Sequence, residues 1–239
     1  MEKKIFLALD NLDKEEILQL VEELKDPVMF KINDAFTKYG SELIEEIHSK
    51  GGEVFLDLKF HDIPNTVANY SKTVAEKKVF CFNVHCFGGL EMMKKARETI
   101  DEYCKEKNLR KPLIFGVTIL TSMDENTLKE ELKIKGSVEE MVKHLALLAK
   151  KAGLDGVVCS PKEIKLVKKA CGKDFLLITP GIRPLWSAGK DDQKRITTPK
   201  KAVEDGTDFL VIGRPIIQAE KYGMKRTEAV KKIMEEISE

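Results

Sequence analysis

Eight short runs rich in Val, Ile, Leu and Phe, separated by longer charged stretches, constrain this chain more than any other feature of its sequence. They are IFLAL (5–9), VMFKI (28–32), EVFLDLK (53–59), VFCFNVH (79–85), LIFGVT (113–118), GVVCS (156–160), FLLIT (175–179) and DFLVIG (208–213). Their hydrophobicity is continuous rather than alternating, as expected of strands covered on both faces in a parallel sheet. The stretches between them, such as DKEEILQLVEELK and SVEEMVKHLALLAKKAG, place apolar residues at i, i+3, i+4 and i+7. That is the pattern of amphipathic helices laid over a sheet.

Eight strand–helix units without a Pro/Gly/Ser-rich linker predict a single α/β domain over residues 1–239, a (β/α)8 TIM barrel. A doubly wound open sheet is the alternative, but it would normally use fewer strands. No G-x-G-x-x-G follows the first run to suggest a dinucleotide site. With 41 basic and 40 acidic residues the formal net charge is +1, so no global field draws the chain to nucleic acid or an anionic membrane. An anion must be held locally. The first apolar run spans only five residues before Asp10, too few for a signal peptide or membrane span, which makes the cytoplasm the expected location. Five cysteines without C-x-x-C or zinc-ligand spacing read as reduced structural thiols.

Polar residues gather at the ends of the runs: Asp10, Lys31, Asp57 with Lys59, His85, Thr118 with Thr121, TPGIR and GRP. In a barrel these ends converge on the mouth that carries active sites. Within DLKFHDIPNT (57–66), Asp57 and Lys59 are two residues apart and point to the same side of a strand, the barrel interior. Lys31 from the neighbouring strand and Asp62 just beyond the run would extend them into an alternating Lys–Asp–Lys–Asp network. Such a network can hold an ammonium in a desolvated cavity. A buried salt-bridge layer that only fixes the fold is the structural alternative, although such pairs seldom stabilise more than apolar residues of equal volume. A Schiff-base lysine is a third reading, opposed by flanking carboxylates that favour the ammonium over the neutral nucleophile.

VIGRP (211–215) closes the eighth run with a glycine for close backbone approach, an arginine fork and a proline able to start a helix, a combination suited to phosphate. The polar segment after the seventh run is long for a structureless loop, and residues 181–198 are expected to form a lid carrying Arg183 and Gln193 toward a ligand. Trp186 would either pack the closed lid or anchor it from outside. In NVHCFGG (83–89), His85 is better read as a packing or hydrogen-bonding residue than as a base. Four histidines without H-x-H or H-E-x-x-H spacing, and mouth carboxylates each beside a lysine, give no metal site.

Taken together, LALD, FKI, DLKFHDIPNT, NVHCFGG, GVTILTS, GLDGVVCS, TPGIRP, DDQKR and VIGRP resemble, in order and over nearly the whole chain, the motifs of the orotidine 5′-phosphate decarboxylases. The wider group includes 3-keto-gulonate 6-phosphate decarboxylase and hexulose phosphate synthase, which share D-x-K-x-x-D but use magnesium and carry an acidic residue where this chain has Lys31. An ammonium there would repel a divalent cation. The KIN of residues 31–33 departs from the K-V-G common in bacterial members and leaves Asn33 without a role.

The resemblance implies conversion of orotidine 5′-phosphate to UMP and carbon dioxide, the last step of de novo pyrimidine synthesis, with no cofactor. It implies that Asp10 and Lys31 bond ribose hydroxyls, that Thr121 and Ser122 meet the pyrimidine, and that Arg183, Gln193, Gly213 and Arg214 hold the phosphate. Asp57 would face the substrate carboxylate and Lys59 would protonate C6. Ile63, Thr66 and Pro180 complete the implied substrate-binding set. A homodimer is implied as well, with Asp62 and Ile63 entering the partner's site. Two other functions remain on the same fold: a metal-dependent sugar-phosphate lyase, and a catalytically silent phosphate- or nucleotide-binding barrel.

Overall fold

The computed structural model describes residues 4–187 and 197–238. In its first half the order is β1 (Ile5–Ala8), α1 (Lys14–Leu24), β2 (Val28–Ile32), α2 (Asp34–Tyr39), α3 (Glu42–Ser49), β3 (Val54–Phe60), α4 (Pro64–Glu76), β4 (Cys81–His85) and α5 (Gly89–Lys107). There follow β5 (Leu113–Val117), α6 (Val138–Lys151), β6 (Gly156–Val158), α7 (Ile164–Cys171), β7 (Leu176–Thr179), α8 (Pro199–Asp205), β8 (Phe209–Ile212), α9 (Arg214–Ile217) and α10 (Arg226–Glu236). All eight strands are parallel, each pairs with the next, and β8 closes on β1. The fold is therefore the (β/α)8 barrel, and the open doubly wound sheet is excluded by closure.

The strand alternation separates two cores. Ile5, Leu7, Phe30, Val54, Leu56, Phe82 and Ile212 point outward and join the helices in one large apolar shell. Phe6, Met29, Phe55, Cys81, Phe115 and Val211 point inward and fill the barrel's lower half. Phe6 packs its ring 5.0 Å from Phe55 and 5.3 Å from Phe209, so the floor is solid aromatic matter. One step toward the strand C-termini the inward residues become Lys31, Asp57 and Asn83, all buried. The change from apolar to polar along the barrel axis places the mouth.

Local chemistry starts the helices where the periodicity predicts. Asp13 caps α1 by accepting the Glu16 N–H, and Ser137 with Glu140 forms a reciprocal capping box at α6. All five cysteines are free and buried, and burial pushes the Cys86 thiol up to about 12, which keeps it protonated and inert. Among the described residues no helix is long and apolar enough to cross a membrane.

Candidate active site

The site begins with an irregularity in β3. Pairing with β4 runs Leu56 to Phe82 and resumes at Phe60 to Val84, so four steps along β3 answer two along β4. The surplus is absorbed in Asp57–Leu58–Lys59, a β-bulge, and Lys59 there has φ +50°, a left-handed backbone rare in non-glycine residues. The sequence expectation that Asp57 and Lys59 meet on the inward side holds, but a bulge rather than a simple pleat brings them together.

Four charged groups, from β2, β3 and the turn after β1, form a continuous chain. Lys59 Nζ donates to Asp57 Oδ1 at 2.7 Å. Lys31 Nζ lies 3.2 Å from Asp57 Oδ2 and 3.1 Å from Asp10 Oδ1. Asp10, after β1, is half open to solvent, whereas the Lys31 and Asp57 side chains are only 8% and 12% exposed. Burial is the largest single influence on Lys31 and pushes its pKa down, but the combined pull of Asp57 and Asp10 outweighs it and holds the ammonium above its usual value. The site thus stores a fixed positive charge out of bulk water.

These groups line a cavity of about 520 Å³ at the C-terminal mouth, large enough for a nucleotide. Thr121, Pro180, Arg183, Gly213 and Arg214 line the same cavity. Arg183 is buried and donates to the Ile182 carbonyl. At Gly213 an added Cβ would sit 3.4 Å from both the Ala8 Cβ and the Ala8 carbonyl oxygen. That is an ordinary van der Waals contact, so the residue lies against the end of β1 without a steric demand for glycine. The segment after β7 is pinned at its base: Ile182 bridges Thr197, and the Arg183 N–H donates to the Thr197 carbonyl at 2.8 Å. Trp186 packs edge-on against Tyr222 at 5.2 Å. Gln193, with residues 188–196 of the expected lid, lies outside the described residues.

Asp62, Ile63 and Thr66 do not line this cavity. They stand on the rim at the β3–α4 turn, where Asp62 is exposed and Oδ1 accepts the N–H of Ile63 at 2.7 Å. The inferred four-charge network therefore runs Asp10–Lys31–Asp57–Lys59 within one chain, and Asp62 is not part of it. Thr118 also turns away, donating to the Val158 carbonyl at 3.0 Å. His85 stacks between His61 and Phe87, and its Nδ1 accepts the Phe87 N–H. Burial is the main cause that lowers its pKa to about 4, with His61 and Lys59 adding to it, so the ring is neutral near pH 7. The stacking and the hydrogen bond match the packing or hydrogen-bonding role expected for it.

Three residues escaped the sequence reading. Asn83 of β4 meets both Asp57 and the Lys59 backbone, and Asn11 lines the cavity beside Asp10. Asp34 accepts the Asn11 N–H at 2.8 Å, tying the turn after β1 to the start of α2. A signal for Asn83 existed: it shares the parity of Cys81 and His85 and so had to face inward.

A sequence model of the orotidine 5′-phosphate decarboxylase / HUMPS family matches residues 3–232. The orotidine 5′-phosphate decarboxylase of Syntrophomonas wolfei is 46% identical over 241 residues, covering 100% of this chain and 99% of that protein. That of Geotalea uraniireducens is 50% identical over 236 residues, 98% of this chain and 95% of the relative. The crystal structure of orotidine 5′-phosphate decarboxylase from Lactobacillus acidophilus superimposes with a TM-score of 0.86 at 34% identity, covering 100% of both chains. Barrel, charged cavity and similarity along the full length agree, and the chain belongs to the orotidine 5′-phosphate decarboxylase / HUMPS family.

Proposed function

We propose that the chain decarboxylates orotidine 5′-phosphate to UMP, the closing step of de novo pyrimidine synthesis, as a cytoplasmic homodimer. One observation carries this reading: the alternating chain Asp10–Lys31–Asp57–Lys59 at the floor of a nucleotide-sized cavity. Loss of carbon dioxide from C6 leaves a vinyl-type carbanion with no adjacent electron sink. Stabilisation must then come from charge already in place, and the Lys59 ammonium, held by Asp57, supplies it without reorganisation. The same ammonium is the proton donor to C6. Asp57, facing the substrate carboxylate, raises the energy of the bound reactant by like-charge repulsion that vanishes as carbon dioxide leaves.

At the far end of the cavity, Arg214, Gly213 and Arg183 together with Gln193 take the phosphate, and Asp10 and Lys31 the ribose. Binding energy from these non-reacting parts closes the segment over residues 181–198 and dries the charged floor. Thr121 and Pro180 border the pyrimidine. Asp62, Ile63 and Thr66 serve the second subunit's site, which suits their place on the rim outside their own cavity.

The metal-dependent branch of the family is disfavoured by Lys31, whose ammonium sits between the two carboxylates a cation would need, 3.1 Å from Asp10 and 3.2 Å from Asp57. The decisive experiment follows the absorbance of orotidine 5′-phosphate with wild type and Lys59→Ala, both in EDTA. Wild type turns over in chelator, and the variant loses about 10³-fold or more in kcat, since it lacks both the proton donor and the fixed charge. An inactive wild type, or an unimpaired variant, overturns the assignment.

A further inference from the structure

Asn83 is fully buried in β4, opposite Phe115 of β5 and level with the bulge in β3. Both ends of its amide are engaged: Oδ1 accepts the Lys59 backbone N–H at 2.7 Å, and Nδ2 donates to Asp57 Oδ1 at 2.7 Å. The chemistry fixes this orientation, because a flipped amide would set oxygen against carboxylate and N–H against N–H. The one oxygen of Asp57 that holds the Lys59 ammonium is also the one that Asn83 holds. Lys59 itself sits at φ +50°, a conformation that persists in a non-glycine residue only where its surroundings impose it.

We infer that Asn83 is a positioning residue for decarboxylation, acting through Asp57 and Lys59 without touching the substrate. It holds the strained Lys59 backbone with one end of its amide and orients the Asp57 carboxylate with the other, so that the ammonium is presented at one place. This rests on Asp57 and Lys59 being the reacting pair, as proposed above. The charged and titratable groups around Asn83 are Asp57 and Lys59 on β3, Lys31 on β2 and Asp10 after β1 beyond them, and Cys81 and His85 on its own strand. Phe115, its neighbour on β5, does not titrate.

The two halves of the amide can be separated in the full-length enzyme. Asn83→Asp keeps an acceptor for the Lys59 N–H but replaces the donor to Asp57 by a second carboxylate. Like charges at hydrogen-bond distance then share one proton, with one pKa strongly raised. When that proton is present, the introduced carboxyl can donate to Asp57 as the amide did. At pH 8 we expect kcat of Asn83→Asp to fall about 10- to 100-fold, the range set by one hydrogen bond to a charged group. Its ratio to wild type should climb as the pH is lowered to 5.5. Asn83→Ala, lacking both contacts, should lose more and show no such recovery. UMP affinity, measured by calorimetry, should stay within about threefold in both variants and counts the folded sites.

Either variant keeping kcat within about threefold of wild type per UMP-binding site overturns the inference, as does an Asn83→Asp defect that is flat with pH. If neither variant binds UMP, the wild-type enzyme decides through its own Asn83 side-chain amide, which must exchange hydrogen far more slowly than free asparagine; exchange at the free rate overturns the inference. Lys59→Ala is run alongside. An active Lys59→Ala would sink the underlying site assignment, whereas an inactive one beside unaffected Asn83 variants would sink only the role of Asn83.

Discussion

His85 shows how one side chain can serve the site without entering its chemistry. Its pKa falls from the ordinary 6.5 to about 4, so between these values the unfolded chain binds a proton that the folded protein refuses. Stability contributed by the neutral ring is complete above pH 6.5 and is lost as the pH drops toward 4. The melting temperature of wild type should therefore rise from pH 4.5 to 6.5. In His85→Asn, whose side-chain oxygen can still accept the Phe87 N–H, the rise should be shallower; equal slopes in thermal scans would refute the assignment. This residue was legible in sequence because its place, at a strand end before Gly-Gly, allowed only a few roles. Asn83, two residues earlier, was legible only as an inward-facing position, because an amide inside an apolar run carries no charge to demand explanation. Its importance comes from a bulge on another strand. Nor does the left-handed backbone of Lys59 leave a trace in composition, since the positions that announce such a conformation are glycines and this one is lysine.

Elements were more readable than their joints. VMFKI became β2 over the same residues, and DKEEILQLVEELK became α1 over Lys14–Leu24, because continuous apolarity and 3.6-residue periodicity are set by what each face must bury. What periodicity cannot show is how closely two strands approach. Gly156 opens β6, and a Cβ placed there would lie 2.1 Å from the Leu176 carbonyl oxygen and 2.8 Å from Phe115 Cε1. Neither neighbour can yield: one is the backbone of β7 and the other a ring packed in the barrel floor. Gly156→Ala should therefore cost about 3 kcal/mol or more, beyond the usual overpacking range, and lower the denaturant midpoint sharply. Gly223→Ala is a fair control. Its added methyl meets nothing within 4 Å, and only the left-handed backbone at φ +72°, ψ +26° opposes it, so about 1 kcal/mol is expected. If urea titration gave the two substitutions equal effects, close strand packing at β6 would not be the reason for that glycine.

At the scale of the molecule, the unbalanced feature is the rim beside β3. Ile63 is 67% exposed and Tyr70 39%, the Tyr70 ring lies tilted against Phe60 at 5.0 Å, and Asp62 between the strand and α4 does not line its own chain's cavity. Large apolar side chains left open around a carboxylate at the edge of a site are what the proposed homodimer would cover, each subunit lending Asp62 to the other's site. The arrangement has a consequence that shared surface alone would not produce. In a mixture of Asp62→Ala and Lys59→Ala subunits, a hybrid dimer has one site with both residues intact and one with neither. Random exchange makes half of all dimers hybrid, so activity should return to about one quarter of wild type, each parent being nearly inactive. Tagged subunits purified through both tags would confirm that exchange took place. Should verified hybrids remain as inactive as their parents, Asp62 acts within its own chain. The exposed rim of β3 and α4 would then need a different occupant, while the charge chain from Asp10 to Lys59 would stand unaltered as the site's core.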